Sequence, residues 1–321
     1  MSKLNALIIG AGNIAAKYDS PDSPKILTYA HAITVSPSFS LVGFVDIDFE
    51  TAVQATNIWG GYPYQSIEDA LQGNDIDVAI VAVPDVFHYK VLKQISNLPL
   101  KGIIAEKPLA KTFAEATELI EIYKNSEIPV VVDYSRRFVP EFSFLRNQIQ
   151  NGDYGQFLTG IGYYGKGLVH NGSHMIDLIQ YLLGSSERVN FVSHEFDFFE
   201  DDPSISAILT YGLDKPFYLQ HINCNNYYIF DVDLFFEKKR VKILDSDGKI
   251  ELYELKPHEI YPEYTRLSLN SILPISFDEQ LTNILENLSQ KLLIGEDLKC
   301  TMNDAYETLR TCNLLIEQFQ I

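Results

Sequence analysis

The segment 169–177, VHNGSHMID, places two histidines and an aspartate at spacings that could support chemistry. His170 and His174 are four residues apart and Asp177 follows three residues later, so on a helix all three would share one face. Imidazole exchanges protons near neutral pH, and two imidazoles with a carboxylate could also bind zinc. The spacing leaves three interpretations open: proton transfer, a metal site, or a packed helix face.

A glycine-rich turn near the N-terminus is typical of dinucleotide binding. Residues 10–15 read GAGNIA and directly follow the apolar run LNALII at 4–9. Gly10 would allow a tight turn after a strand, and Gly12 would let the backbone approach a pyrophosphate. Strand-to-helix turns favour glycine in any case, so the motif alone is a weak signal. Its position directly after a predicted strand is what indicates dinucleotide binding.

Two further residues lie at the ends of predicted strands. Asp46 ends the run SLVGFVD, where a carboxylate can accept hydrogen bonds from the ribose of NAD and would repel the extra phosphate of NADP. Lys107 ends the run GIIAEKP, where an ammonium group could donate to a substrate oxygen. The alternatives are a turn residue for Asp46 and a surface lysine for Lys107.

The elements that must position these residues alternate regularly up to about residue 135. Strands are predicted at 4–9, 40–46, 77–84, 102–108 and 129–134, and helices at 50–58, 66–73, 86–97 and 112–125. Strands that alternate with helices in this way form βαβ units around a parallel sheet. Thr112 and Glu115 form a predicted capping box at the start of the last of these helices.

The second part of the chain has a different pattern. Helices are predicted at 137–151, 171–183, 276–293 and 302–319, and strands at 156–164, 189–199, 204–211, 216–224, 228–236, 240–244 and 249–254. The strands follow one another without helices between them, which predicts an α+β domain with a largely antiparallel open sheet. The acidic run at 200–202 is predicted to be a solvated loop.

Composition excludes several classes of function. The 321 residues carry a formal net charge of -18, which disfavours binding to nucleic acid. No apolar run is long enough to span a membrane, and the N-terminus lacks the pattern of a signal peptide. The three cysteines have neither metal-site nor disulfide-framework spacing. The sequence therefore predicts a cytoplasmic protein that contacts neither nucleic acid nor membrane.

Five motifs together resemble the Gfo/Idh/MocA family of oxidoreductases. They are GxGxxA at 10–15, VD at 45–46, VPDVFH at 83–88, EKPLA at 106–110 and SRRFVP at 135–140. The resemblance implies an N-terminal Rossmann dinucleotide-binding domain, here 1–128, and an α/β domain for substrate binding and oligomerisation, here 129–321. It implies hydride transfer between NAD(P) and a carbon of a sugar, cyclitol or sugar nucleotide, in a homodimer or homotetramer formed through the C-terminal sheet.

The resemblance also assigns residues to the cofactor. Lys107 corresponds to the catalytic lysine of the EKP motif, and the Lys107-Pro108 peptide bond is expected to be cis. The predicted cofactor-binding residues are Gly10, Gly12, Asn13, Ile14, Asp46, Pro84, His88, Glu106, Lys107 and Pro108. NAD is the predicted cofactor, and NADP is not excluded.

The histidine segment departs from the family at one position. The family has an aspartate, three residues, a histidine, two residues and a second aspartate; His174 and Asp177 match, whereas His170 replaces the first aspartate. Either His174 acts without this carboxylate, or the proton route uses His170 or Lys107, or catalysis is weakened. The predicted catalytic residues are Lys107, His174 and His170.

The predicted substrate-binding residues are Lys107, Tyr134, Arg137, Tyr164, Asn171, His174 and Asp177. Arg137 could bind a carboxylate or phosphate with two hydrogen bonds, or form a salt bridge within the protein. No metal is predicted, because no further ligand is evident and the dinucleotide can perform the chemistry.

The sequence thus predicts an NAD(P)-dependent dehydrogenase or reductase acting on CH–OH groups. Two alternatives stay open: a dinucleotide-binding regulator without turnover, and a metal-dependent hydrolase or lyase built on His170 and His174.

Overall fold

The structure, a computed structural model, describes residues 3–319. The chain forms two compact units, one made of the residues up to Phe138 together with Phe277–Tyr306, the other of Val139–Ser276 and the residues from Glu307 onward. The first unit extends beyond the boundary predicted at residue 128, because the strand near residue 131 pairs within its sheet and a later segment returns to it.

Fourteen strands are present among the described residues. They are β1 (Leu4–Ile9), β2 (Phe39–Val45), β3 (Tyr62–Tyr64), β4 (Val78–Val81), β5 (Gly102–Ala105), β6 (Val130–Val132), β7 (Phe157–Tyr164), β8 (Arg188–Glu195), β9 (Ser204–Tyr211), β10 (Lys215–His221), β11 (Asp231–Phe236), β12 (Lys239–Leu244), β13 (Lys249–Pro257) and β14 (Thr265–Pro274).

Nine α-helices are present in the same part of the chain. They are α1 (Tyr29–Val35), α2 (Phe49–Trp59), α3 (Ile67–Leu71), α4 (His88–Ile95), α5 (Phe113–Tyr123), α6 (Pro140–Gln150), α7 (Ser173–Leu183), α8 (Gln280–Ile294) and α9 (Met302–Phe319). The predicted capping box of α5 is confirmed, since the Thr112 side chain accepts from the Glu115 backbone and the Glu115 side chain accepts from Thr112.

The first unit is built on a parallel sheet in the order β3-β2-β1-β4-β5-β6. Its central strands are apolar runs buried along their whole length, as in β4 and β5, because helices cover both faces of such a sheet. The strand order reverses between β1 and β4, and ligands of open α/β sheets bind outside the carboxyl ends of the strands at such a point. The predicted α/β fold is confirmed.

The second unit contains an eight-stranded sheet in the order β14-β13-β12-β11-β7-β10-β9-β8. Only the pairing of β7 with β10 is parallel, so the prediction of a largely antiparallel sheet is confirmed. Helix α7 packs closely on one face: a Cβ atom added to Gly162 would lie 2.7 Å from the Met175 sulfur. Strands β3 and β14 were not predicted.

No helix within residues 3–319 combines the length and the apolar character needed to cross a membrane.

Candidate active site

The glycine turn lies at the carboxyl end of β1, beside the point where the strand order reverses. Gly10 has a φ of 98°, and a Cβ atom there would lie 2.5 Å from the carbonyl oxygen of Ala82. A side chain is therefore excluded at Gly10 by both conformation and space. A Cβ atom on Gly12, by contrast, would meet nothing within 4 Å, so the space in front of this residue is open.

Asp46 follows β2, the neighbour of β1, and its carboxylate contacts the glycine turn directly. It accepts hydrogen bonds from the backbone N–H of Ala11 at 2.8 Å and from that of Asp48 at 2.9 Å. A carboxylate has about four lone-pair positions, so Asp46 retains capacity to accept hydrogen bonds from a ribose.

The helix expected directly after the glycine turn is interrupted. Residues 13–17 form a single wide turn, and α1 begins only at Tyr29. The intervening loop is held by the Asp19 carboxylate, which accepts hydrogen bonds from the Leu27 backbone at 2.6 Å and the Thr28 hydroxyl at 2.5 Å. It also lies 2.8 Å from the Nδ1 atom of His31. Asp19 was not singled out from the sequence, because a single aspartate in a loop carries no distinctive pattern.

The EKP segment turns away from the end of β5 through the expected cis Lys107-Pro108 bond. His88 holds this turn: its Nδ1 lies 2.5 Å from the Pro108 carbonyl oxygen and its Nε2 lies 2.9 Å from that of Val83. Burial lowers the pKa of His88, which favours a neutral ring that donates to one carbonyl at a time. The prediction that His88 lines the cofactor is corrected: only 1% of it is exposed, and it joins two strand-end loops.

A polar cluster of two buried and two half-buried residues lies beside Lys107. The hydroxyl of Tyr29 is 3.1 Å from Glu106 Oε1 and 2.9 Å from Asp133 Oδ2, and Gln280 Nε2 is 2.8 Å from both carboxylate oxygens of Asp133. Burial, together with the charge of Asp133, raises the pKa of Glu106 to about 8. Burial likewise raises the pKa of Asp133. Of these residues only Glu106 was predicted, because the others come from helices and strand ends far apart in sequence.

Two residues predicted to bind substrate are buried within the first unit. Arg137 Nη1 lies 3.0 Å from Asp304 Oδ1 and donates to the Lys299 carbonyl oxygen at 3.0 Å. The prediction of an arginine clamp for substrate is corrected, because the buried Arg137 guanidinium already forms an ion pair with the partly exposed carboxylate of Asp304. Tyr134 is 1% exposed and lies in the same core.

The histidine segment of the second unit begins with an irregular turn. Residues 168–172 form one wide π-type turn, and α7 starts at Ser173 rather than at 171. His170 is exposed, with its ring centroid 4.7 Å from that of Phe199, whereas His174 is half-buried. Asp177 is 1% exposed and accepts from the Thr308 hydroxyl at 3.4 Å. The expectation of one shared helix face is therefore corrected, because His170 precedes α7.

This turn is held by a carboxylate from another segment of the chain. Asp202 accepts hydrogen bonds from the backbone N–H groups of Val169 at 2.9 Å and His170 at 2.8 Å. The prediction of a solvated loop at 200–202 is wrong for Asp202, whose pKa is raised by burial. Nothing in the sequence connects Asp202 with the segment it supports.

Two other predicted substrate-binding residues have structural partners. The Tyr164 hydroxyl donates to the Ile205 carbonyl oxygen at 2.8 Å and accepts from the Ile205 N–H at 2.7 Å, and the residue is fully buried. Tyr164 is therefore a structural residue and not a substrate contact. Asn171 donates to the Gly165 carbonyl oxygen at 2.8 Å but remains partly exposed.

Among the residues that the structure describes, no group of three or more His, Cys, Asp or Glu side chains is arranged to hold a metal ion.

The match to a family model agrees with this geometry. Residues 4–134 match the model described as the oxidoreductase family with an NAD-binding Rossmann fold, Gfo/Idh/MocA. This part of the chain belongs to the Gfo/Idh/MocA family. The resemblance carried by the glycine turn and the EKP segment is thereby confirmed for the domain that contains them.

Individual relatives extend the comparison. An inositol 2-dehydrogenase of Corynebacterium glutamicum is 29% identical over 195 residues, which cover 57% of this chain and 55% of that protein. The chain thus aligns with about half the length of this curated relative. A putative NADPH-dependent oxidoreductase of Desulfitobacterium hafniense has a TM-score of 0.82 at 15% identity, covering 100% of this chain and 96% of that one.

A second solved structure is a UDP-N-acetylglucosamine 3-dehydrogenase of Acidithiobacillus ferrooxidans. Its TM-score is 0.77 at 14% identity, and the alignment covers 99% of this chain and 98% of that one. At such low identity, both structural likenesses establish the fold alone.

The residues of the Gfo/Idh/MocA domain fit a dinucleotide. The open space at Gly12 would accept a pyrophosphate against the backbone. Asn13, the next residue in the chain, is exposed, and so is Pro84, which follows β4. Apolar side chains are also exposed after the strands that flank β1: Ile47 by 84% and Val86 by 46%. Surfaces of this kind suit the faces of an adenine ring.

Proposed function

We propose that the protein is an NAD-dependent dehydrogenase or reductase acting on a secondary alcohol, or the matching ketone, of a sugar, cyclitol or sugar nucleotide. The observation that carries this proposal is the position of Lys107, at the carboxyl end of β5 in the same sheet that carries the open glycine turn. The substrate class is supported by relatives that act on inositol and on a UDP-sugar.

Each proposed residue has a separate task in this reaction. Bound NAD supplies the acceptor or donor of the hydride. Lys107 donates a hydrogen bond to the substrate oxygen and stabilises negative charge on it. His174 exchanges the hydroxyl proton with the substrate, and the exposed His170 assists or replaces it. Asp177 is buried, so we assign it the role of fixing α7 and not that of contacting substrate.

The preference for NAD over NADP rests on Asp46. Its carboxylate is already held in place by the Ala11 N–H, with lone pairs remaining for the ribose hydroxyls. A phosphate on the same ribose would meet the negative charge of this carboxylate.

The test is a comparison of Lys107→Met with the exposed Lys111→Met as the matched control. Initial rates of NADH formation are measured with NAD⁺ and a panel including myo-inositol and UDP-N-acetylglucosamine. We expect Lys107→Met to lower kcat/KM by about 10²–10⁴-fold, with NAD⁺ affinity and the control variant nearly unchanged. Equal rates in both variants would exclude the proposed role of Lys107. NAD⁺ binding without turnover on any substrate would favour the regulator.

We also propose a homo-oligomer formed through the face of the second sheet that does not carry α7. Cross-strand register places Tyr253 opposite Leu269 and Glu251 opposite Ile272, and Leu269 and Ile272 are 46% and 51% exposed. Light scattering after size exclusion should give a smaller mass for Ile272→Asp than for the wild type. Ile294→Asp, at an exposed position of the first unit, is the control; equal masses for all three would oppose the proposal.

Two further assignments complete the proposal. The cytoplasm is the proposed compartment, in keeping with three cysteines that remain thiols. Small molecules are the proposed partners, and the net charge of -18 opposes binding to nucleic acid.

A further inference from the structure

Tyr29 lies between two carboxyl groups that reach it from different elements. Its hydroxyl, on α1, is 3.1 Å from Glu106 at the end of β5 and 2.9 Å from Asp133 after β6. Gln280, on α8, adds an amide nitrogen 2.8 Å from each oxygen of Asp133. All four residues belong to the first unit, and Tyr29 is fully buried.

The hydrogens available in this cluster limit its protonation. A tyrosine hydroxyl carries one hydrogen and can donate it to only one carboxylate at a time. If both carboxyl groups were ionised, the hydroxyl would donate its hydrogen to one of them. The second carboxylate would then face the lone pairs of the hydroxyl oxygen with no hydrogen between them. Both contacts of Tyr29 are satisfied when exactly one carboxyl group carries a proton and donates it to the tyrosine oxygen.

The donors around each group indicate which carboxyl group is ionised. Asp133 receives the amide of Gln280 at both oxygens and the hydroxyl of Tyr29, and hydrogen bonds to a carboxylate stabilise its charge. Glu106 accepts a hydrogen bond from the backbone of Lys107 and is close to its ammonium group, but burial and the charge of Asp133 outweigh these effects. The proton is therefore best placed on Glu106.

We propose that the carboxyl groups of Glu106 and Asp133 share a single proton at neutral pH, bridged by the Tyr29 hydroxyl, and that the three residues act as positioning residues for Lys107, so that one negative charge, not two, faces its ammonium group. This rests on the proposed function, which gives Lys107 its catalytic role. A further titratable group near Lys107 is His88, whose burial favours the neutral ring. A second carboxylate charge at alkaline pH would hold the ammonium proton more tightly and change how Lys107 interacts with the substrate oxygen.

The test uses the whole protein without substrate. Infrared spectra of protein carrying ¹³C-labelled glutamate carboxyl groups distinguish protonated from ionised side chains. At pH 7 we expect a protonated-glutamate band that disappears in Glu106→Gln and persists in the exposed control Glu50→Gln. In Asp133→Asn the midpoint for loss of this band should move down by about 1 pH unit or more, because a neighbouring negative charge is removed.

A second variant keeps the proposal testable if Asp133→Asn does not fold. Gln280→Leu removes the donors that stabilise ionised Asp133, so the proton should move to that residue. The protonated band should then weaken in glutamate-labelled protein and appear in aspartate-labelled protein. Absence of any protonated band assigned to Glu106 at pH 7 in the wild type, or a midpoint that is unchanged in Asp133→Asn, would overturn the proposal.

The pH profile of turnover separates this proposal from the proposed function. If Lys107 is catalytic, the alkaline limb of kcat/KM should move with the infrared midpoint in Asp133→Asn, while NAD⁺ affinity stays the same. Proton sharing without turnover on any substrate would leave the acid pair established and refute the dehydrogenase. Turnover with a profile that Asp133→Asn does not move would refute the role of the pair.

Discussion

The carboxylate of Asp46 accepts a hydrogen bond from the backbone N–H of Ala11 across 2.8 Å. This contact joins the carboxyl ends of β1 and β2, two adjacent parallel strands. Asp46, which the sequence predicts to bind a ribose, therefore also shapes the turn on which a pyrophosphate would lie. If Asp46 binds the ribose as proposed, recognition of the nucleotide and the conformation of the glycine turn depend on the same side chain.

Replacement of Asp46 by asparagine should change which nucleotide binds. Asp46→Asn keeps an oxygen for the Ala11 N–H but removes the charge that would repel a 2′-phosphate. A ligand that binds the native state raises Tm according to its affinity. We therefore expect the rise in Tm caused by NAD⁺ to become smaller, and the rise caused by NADP⁺ to become larger relative to that caused by NAD⁺. Asp48→Asn, two residues later, is the control. An unchanged ratio of the two affinities in Asp46→Asn would contradict the assignment.

Arg137 should behave as a structural residue. Its guanidinium is 5% exposed and 3.0 Å from Asp304, so Arg137→Met leaves a partly buried carboxylate without its partner. We expect a loss of about 1–3 kcal/mol in the free energy of unfolding, measured by urea denaturation, because solvent screens the partly exposed carboxylate. Nucleotide affinity of the protein that remains folded should be unchanged. A variant of full stability with a raised KM for an anionic substrate would restore the role of a substrate clamp.

Burial acts to raise the pKa of Asp304, but the Arg137 charge and the hydrogen bonds from Thr301 outweigh it and lower the pKa. Because the pKa is lowered on folding, the ion pair stabilises the protein at pH values above the pKa that Asp304 has in the unfolded chain. This stabilisation is lost as the pH falls through the folded-state pKa. The stability difference between wild type and Arg137→Met should therefore shrink in acid.

Tyr164→Phe should lower stability and leave proton transfer intact. The hydroxyl bridges the N–H and carbonyl of Ile205, and burial raises its pKa well above the usual value. Its removal takes away the partner of two buried backbone groups. Leaving one such group unsatisfied costs about 1–3 kcal/mol. Urea denaturation measures this loss. A stable variant with a large fall in kcat would contradict this structural assignment and indicate that the Tyr164 hydroxyl takes part in the reaction.

The sequence predicted those parts of the molecule that depend on neighbours along the chain. The apolar run before Gly10, the capping box at Thr112 and the end of the helix predicted at 171–183 are all local patterns, and each is present. The short strand β3 and strand β14, whose apolar residues are interrupted by polar ones, were missed, because neither has a continuous apolar run. They exist as strands because a neighbouring strand supplies their hydrogen-bond partners.

The candidate site was predicted less completely, because its support comes from distant segments. Asp133 and Gln280 are 147 positions apart, and Asp202 lies 32 positions from the backbone group of His170 that it binds. No periodicity or spacing connects such residues in a single sequence. Arg137 and Tyr164 were predicted to bind substrate because their residue types suit ligand binding. In the structure their polar groups instead form hydrogen bonds and an ion pair within the protein.

Glu106 should make the protein less stable as the pH rises through neutrality. Burial raises its pKa from 4.5 to about 8, so the folded state retains a proton that the unfolded state has lost over this range. The contribution of protonated Glu106 to the free energy of unfolding is fully present below the pKa of the unfolded state. It is lost as the pH rises through the pKa of the folded state. Relative to Glu106→Gln, the wild type should lose about 3–4 kcal/mol between about pH 5 and pH 8, since each pH unit in this range costs about 1.4 kcal/mol.

Urea denaturation of the two proteins over this pH range measures that difference directly. The exposed Glu50→Gln should run parallel to the wild type, since its carboxyl group is solvated in both states. A wild-type curve parallel to that of Glu106→Gln would mean that Glu106 is ionised at neutral pH. Two negative charges would then lie beside Lys107, and Tyr29 could donate to only one of them.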